Sequence, residues 1–332
     1  MRTNRRLAVL AGSAVLLAAA VLLSLAAGSR GIAPGRVLQV LLRPDDSDAS
    51  AILWSLRVPR TIIGLAVGAG LATAGVLMQA LTRNPLADPR IMGVSSGASL
   101  GVVAAINVFG LTTLPSYIWF GIAGAALAGT FVYALAARAR DGASPVTLAL
   151  AGTALDASLT GVVIGVLTVN VKTFDQYRFW AVGSLSGRPI EVALWVLPFV
   201  VAGIVLAFGV AGGLDALALG DDVARGLGRN VGRVRLAAAV AAIVLTGAAV
   251  AAAGPIGFVG LALPHLARGL VGAHHRWVMA VSLLLGPALL LGADVIGRLV
   301  VPPAEIRAGI VTALVGAPFL ILLVRRGRTV TA

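Results

Sequence analysis

Cysteine is absent from the chain, so no disulfide framework holds it and no thiol can act as nucleophile or metal ligand. Lysine occurs once, at Lys172 after Val171. A phosphate-binding loop needs a Gly-Lys pair closing a glycine-rich turn, so the chain is not a motor of that kind. Charge is scarce as well. Only 12% of the 332 residues are charged, against about 25% in soluble domains, which is too little to coat a water-facing surface. These shortages exclude a soluble enzyme, a disordered tail and a disulfide-stapled secreted domain.

What the chain has instead is apolar length: 59% of it is hydrophobic. Long apolar runs fall near Leu7–Ala27, Thr61–Thr82, Ile91–Gly110, Tyr117–Ala137, Pro145–Asn170, Ile190–Gly212, Leu236–Ala253, Ile256–Val271, Trp277–Gly297 and Ile306–Val324. A membrane crossing takes ~20 apolar residues, so these runs predict an all-α polytopic membrane protein with about ten transmembrane helices. The first run follows Arg2, Arg5 and Arg6 and exceeds the ~7 to 15 apolar residues of a cleaved signal, so it reads as an uncleaved first helix. Residues 1–332 are expected to form a single transmembrane domain. Any ATP-hydrolysing or ligand-capturing domain then belongs to another chain.

A formal charge of +13 would suggest nucleic acid in a soluble protein. Here the basic residues sit in short clusters between apolar runs, which points to membrane orientation and gives no reason to invoke nucleic acid. An even number of spans places both termini on one side, and the arginines within 2–6 and 325–328 predict that this side is the cytoplasm. Arg83, Arg90, Arg138, Arg140, Arg225, Arg229, Arg233, Arg235, Arg268 and Arg276 follow them inside. Arg30, Arg36, Arg43, Arg57, Arg60, Lys172, Arg178, Arg188, Arg298 and Arg307 fall outside. The inside bias is modest, so some outer arginines need another role.

Two stretches share a pattern of glycine-rich helix, Pro-containing break and short Gly-rich helix, one at 74–97 and one at 245–265. The span count has them enter their breaks from opposite sides. That predicts an inverted repeat, a frequent transporter plan, with repeat-like halves at about 61–170 and 236–324. The many Gly, Ala and Ser residues of the helices serve close backbone packing.

Few polar groups lie inside the runs. Asp156 stands near the middle of the fifth, where an ionised carboxylate costs ~2.5 to 3.5 kcal/mol; it should face a watery path or a local polar partner. Asp294 and Arg298 are four apart and can pair on one helix face. His265, His274 and His275 do not suggest a metal site, since adjacent residues on a helix do not share a face. The segment Thr173–Gly187 mixes aromatics with charges at a membrane interface. The loop at 215–230 is the most polar one assigned inside: Asp221 and Asp222 suit a helix N-terminus, and Ala224 and Leu227 are spaced to share a face.

The segments Arg57-Val-Pro59-Arg60, Met78 through Pro89, Gly93 through Ala98, Gly254 through Leu261 and Pro264-His265 resemble the permease subunits of iron-siderophore and vitamin B12 ABC importers. The resemblance runs from about Leu53 to Arg325. It implies a multi-pass permease of the bacterial cytoplasmic membrane, surrounded by lipid and paired with a second permease subunit as a homo- or heterodimer. Partners would be a cytoplasmic ABC ATPase dimer and an extracytoplasmic solute-binding protein. No cofactor is expected on this chain, ATP and Mg being held by the ATPase. The cargo would be a metal chelate, a ferric siderophore first and cobalamin or haem as alternatives, moved without covalent chemistry.

By the same resemblance, Gly220, Asp221, Asp222, Ala224, Arg225, Leu227 and Gly228 form a coupling helix whose small apolar face enters an ATPase cleft. Arg57, Arg60 and Arg298 form basic pockets for acidic side chains of the binding protein, and Asp156 lines the translocation path. The segment after the fifth span would add a short helix at the outer gate. An ion-coupled secondary transporter is the principal rival, but it should carry more midplane carboxylates than Asp156.

Overall fold

The computed structural model describes residues 3–28, 30–139, 144–302 and 304–325, and every regular element among them is helical. Arg2, Arg140, Arg326 and Arg328, used above for orientation, lie outside the described residues. The helices are α1 (Thr3–Ala26), α2 (Pro34–Leu42), α3 (Asp48–Ile52), α4 (Val58–Leu81), α5 (Val94–Phe109), α6 (Leu114–Ala137) and α7 (Pro145–Val169). They continue with α8 (Val171–Ala181), α9 (Ile190–Ala218), α10 (Asp221–Gly226), α11 (Val231–Ala253), α12 (Val259–Val271), α13 (His275–Val300) and α14 (Ala308–Arg325).

The ten apolar runs correspond to α1, α4, α5, α6, α7, α9, α11, α12, α13 and α14. Seven helices are long and apolar enough to cross a membrane, α3 and α4 counting as one 34-residue rod joined by a π-turn at Leu53–Arg57. α5, α12 and α14 are shorter. At 1.5 Å per residue, the 13 residues of α12 rise only about 20 Å, less than the ~30 Å hydrocarbon layer. Expected and observed boundaries differ most at α9, which runs on to Ala218 and not Gly212, and next at α11, which starts at Val231 and not Leu236 because the Asn230 side chain accepts from the Arg233 N–H and caps it. The extra helix after the fifth span is present as α8, capped by Asn170. The sequence reading does not anticipate α2, a short amphipathic piece burying Val37 and Val40.

α4 is the hub, packed by α9, α11, α12 and α13 and almost wholly buried. Small residues make this possible. A Cβ on Gly68 would lie 2.5 Å from the Pro287 Cα, and one on Gly75 would lie 1.9 Å from the Gly260 carbonyl oxygen, so in both places the helix backbones touch. Around this hub, α1 and α7 turn mostly exposed apolar surface outward, as a lipid-facing or subunit-facing layer must.

Both breaks singled out in the sequence end in the same local device. α5 starts from Gly93 at φ 68° and α12 from Phe258 at φ 69°, each in the left-handed region. Before α5, the Asn84 and Asp88 side chains accept from the backbone N–H groups of Leu86 and Arg90, both at 2.9 Å, turning the chain. Before α12, Gly254 (φ 78°) is required because a Cβ there would stand 2.1 Å from the Trp180 carbonyl oxygen.

Candidate functional site

At one end of the bundle, α10 is six residues long and could not persist alone. Asp221 holds it. One carboxylate oxygen accepts from Arg83 at 2.6 Å, just beyond α4, and the other pairs with Arg235 of α11 at 3.0 Å. Arg83 also donates to the Leu217 carbonyl at the end of α9, so one guanidinium ties α4, α9 and α10 together. Gly220 precedes the helix at φ 107° and Gly228 follows it at φ 73°. Asp222 is fully exposed and pairs with Arg225, three residues on, at 2.7 Å.

The expected shared face of Ala224 and Leu227 is not there. α10 ends at Gly226 with Leu227 as its C-cap, and the Leu227 side chain is exposed. Ala224 is completely buried in this chain's own core. The apolar groups left outward are Leu219, Val223 and Leu227. Sequence spacing could not show this, because the three-residue periodicity assumes a helix that continues.

At the opposite end, Arg57, Arg60 and Arg298 do meet, but as a buried assembly and not as open basic pockets. The last carbonyls of α1 have no helical partners of their own. Arg57 donates to Leu25 and Ala26 at 2.6 and 2.7 Å and to the Arg30 carbonyl. Arg298 donates to Ser24 and Ala27 at 3.0 and 2.9 Å. Two arginines thus cap α1, where positive charge also meets the negative end of the helix.

Arg60 grips Asp294 with two parallel bonds of 2.8 Å, the bidentate geometry that suits a planar guanidinium. Its remaining nitrogen donates to Glu305 at 2.9 Å. Asp294 also pairs with Arg298 at 3.2 Å, the expected four-residue contact. The side chains of Asp294 and Arg298 are 1% and 3% exposed, whereas that of Glu305 is 35% exposed. Glu305, which the sequence reading did not single out, is therefore where the assembly reaches the surface.

Asp156 is half-buried at the middle of α7 and close enough to Arg90 to attract it. Arg90 pairs with Asp88 at 2.9 Å, and a Cβ on Gly257 would come within 3.3 Å of its guanidinium. The carboxylate thus has a cationic neighbour at the two proline breaks.

His274 and His275 both reach Asp215 of α9, at 3.0 and 2.7 Å. Adjacent histidines can do this because His274 sits before the first helical turn of α13. Among the described residues no group of His, Asp and Glu is arranged to hold a metal ion.

The profile of the FecCD transport family matches residues 16–326. The ferric enterobactin transport system permease of Escherichia coli K12 is 44% identical over 316 residues, covering 95% of this chain and 94% of that protein. The Fe(3+)-citrate import system permease YfmD of Bacillus subtilis 168 is 42% identical, covering 92% and 91%. The cobalamin import permease of Halobacterium salinarum is 41% identical over 83% of this chain and 74% of its own. A solved chain, from an inward-facing conformation of a transporter assigned to the metal-chelate ABC type, superposes with a TM-score of 0.85 at 29% identity, covering 96% of this chain and 98% of that one. Family membership implies ATPase and binding-protein partners. The chain belongs to the FecCD transport family and is a multi-pass permease subunit of an ABC importer in the cytoplasmic membrane, a conduit and not an enzyme.

Proposed function

We propose that this permease carries a ferric chelate, of the siderophore or citrate kind, by alternating access driven by a cytoplasmic ATPase dimer that holds ATP and Mg. Two of the relatives described above are named for ferric chelates, which supports that cargo over cobalamin or haem. The two proline breaks, with their matched left-handed starts, support an inverted repeat of about 61–170 and 236–324. The exposed faces of α7 and α14 support pairing with a second permease subunit, with Asp156 beside the path between them.

The observation that carries the coupling assignment is α10: a helix too short to hold itself, clamped by Asp221, with Val223 and Leu227 turned outward. Gly220 and Gly228 supply its turns, and Asp222 and Arg225 its polar rim. Introducing charge at the two outward residues, Val223→Asp with Leu227→Asp, should release the ATPase at least tenfold more readily from detergent-purified complex while the permease still inserts. Undiminished copurification would remove α10 from the contact.

For the opposite end, the buried geometry supports a revised division of labour. Arg57 and Arg298 hold α1 in place, and Arg60, through Glu305, is the member of the trio nearest a docking binding protein. Both termini and α10 are then cytoplasmic. Cysteine placed at exposed Arg229 should be labelled by impermeant maleimide only in inverted vesicles, and at Asp46 only in intact cells. The reverse pattern would invert the orientation. The cysteine-free chain makes the readout unambiguous.

A further inference from the structure

The two ends of α1 are held in different ways. At its C-terminus Arg57 and Arg298 cap the last carbonyls. At its N-terminus, among the described residues, hydrogen bonds to the rest of the chain reduce to one: Arg6 Nε donates to the Val271 carbonyl, at the end of α12, at 3.1 Å. Arg6 stands at seven-residue spacing from buried Ser13 and Ala20, on the packed side of α1. Its guanidinium carbon lies 5.8 Å from the ring centroid of Trp277, in the first turn of α13. Among the described residues no hydrogen bond or carboxylate engages the two terminal nitrogens of Arg6.

Two more cations share this end of the seam between α1 and α13. Arg5 is the chain neighbour of Arg6, and Arg276 is that of Trp277; both are exposed, and neither has a carboxylate partner among the described residues. Asp215, which meets the turn before α13, is engaged by His274 and His275. The adjoining surface of α1 is apolar and open, with Leu7, Val15 and Leu16 each more than half exposed. Pairing with a second permease subunit draws on α7 and α14, and coupling draws on α10, so this face of α1 is left to the bilayer.

Tryptophan favours the level of the phospholipid headgroups, and a basic pocket between helices at that level suits an anionic headgroup. We propose that Arg5, Arg6 and Arg276, beside Trp277, bind the phosphate of an anionic phospholipid whose acyl chains lie along Leu7, Val15 and Leu16. The bound lipid staples the loosely tied end of α1 to α12 and α13. Charge complementarity commits the site to an anionic lipid: a zwitterionic one brings its own ammonium group up against three guanidinium groups. Arginine suits the task because its planar fork meets two phosphate oxygens at once. The inference needs only the membrane location of the chain and holds for whichever leaflet meets this end of α1.

The test is native mass spectrometry of the full-length permease in detergent, offered equal amounts of phosphatidylglycerol and phosphatidylcholine. Wild type should retain phosphatidylglycerol about tenfold more. Arg6→Gln and Arg276→Gln should each cut that preference about threefold, and the double variant should bring it near parity. Arg276 is exposed and unbonded among the described residues, so its substitution probes the site without disturbing the bundle. Arg6→Lys, which keeps the charge, should retain more of the preference than Arg6→Gln. Exposed Arg138, at the end of α6, is the control, and Arg138→Gln should change nothing. Equal retention of the two lipids by wild type, or an unchanged preference in the double variant, would overturn the proposal. An equal fall in Arg138→Gln would also overturn it, since the attraction would then be that of any basic surface. In nanodiscs, one-fifth phosphatidylglycerol should raise the melting temperature of wild type by several degrees over phosphatidylcholine alone, and that of the double variant hardly at all. Glycerol phosphate, which has the headgroup chemistry without acyl chains, should give no such rise in phosphatidylcholine nanodiscs; a rise equal to that from phosphatidylglycerol would assign the site to a soluble anion and refute the lipid.

Discussion

Replacing Asp294 by Asn should remove most folded permease from the membrane. The carboxylate is buried, receives two 2.8 Å bonds from Arg60 and pairs with Arg298 at 3.2 Å. With its charge gone, two guanidinium groups stay buried near each other and near Arg57, with only Glu305 among the described residues, 35% exposed, to offset them. Breaking a buried pair from one side costs about 3–5 kcal/mol, a large share of the roughly 5–15 kcal/mol that holds a typical domain. The loss should appear as a lower yield of monodisperse protein and a melting temperature several degrees down in nanodiscs. Glu305→Gln is the control: it removes one partly exposed partner and should cost at most about 1 kcal/mol. Wild-type melting in Asp294→Asn would mean that the assembly does not hold the bundle, and would reopen a simple docking role for Arg60 and Arg298.

Asp221→Arg should abolish uptake by a different route. It places a third cation beside Arg83 and Arg235, which now share one carboxylate at 2.6 and 3.0 Å. α10 would lose its hold on α4 and α11, while Val223 and Leu227 could still meet the ATPase. The expected signature in proteoliposomes is at least a tenfold drop in chelate imported per ATP hydrolysed, with ATPase still bound. Adding Arg83→Asp re-pairs the charges and should recover a substantial part of the ratio. Wild-type uptake in the single variant would show that the clamp is dispensable, and failure of the swap with α10 still attached would place the defect elsewhere.

The membrane helices are legible in the sequence because apolar length is a local property, and even the weak members are visible: α5 and α12 stand in the right places though shorter than a full crossing. Boundaries slip where charge sits on a capped helix, as Arg233 and Arg235 do in α11. Pairings split the same way. Arg298 with Asp294 follows from a four-residue spacing, whereas Arg60 with Asp294 joins residues 234 positions apart and has no local trace. Outer arginines read as free charge for a partner because nothing in their neighbourhood predicts that α1 ends against them. Ala224 misleads for the converse reason: its spacing from Leu227 is helical, but Ala224 is packed into this chain's own core while Leu227, at the helix cap, is exposed.

α4 begins beside Arg60 and ends beside Arg83, so the two clamps sit on one rod. Its 24 residues are about 36 Å long, and with backbones touching at Gly68 and Gly75 it has no slack along its length. A rod pinned in this way can tilt but cannot easily slide. A tilt of about 5° around its outer end would swing the inner end by about 3 Å, enough to carry Arg83, and α10 with it, across the width of a side chain. With α10 as the proposed ATPase contact, the leverage also works backwards: a sideways push on α10 would appear at the far end of α4 as torque on Arg60 and the Glu305 loop.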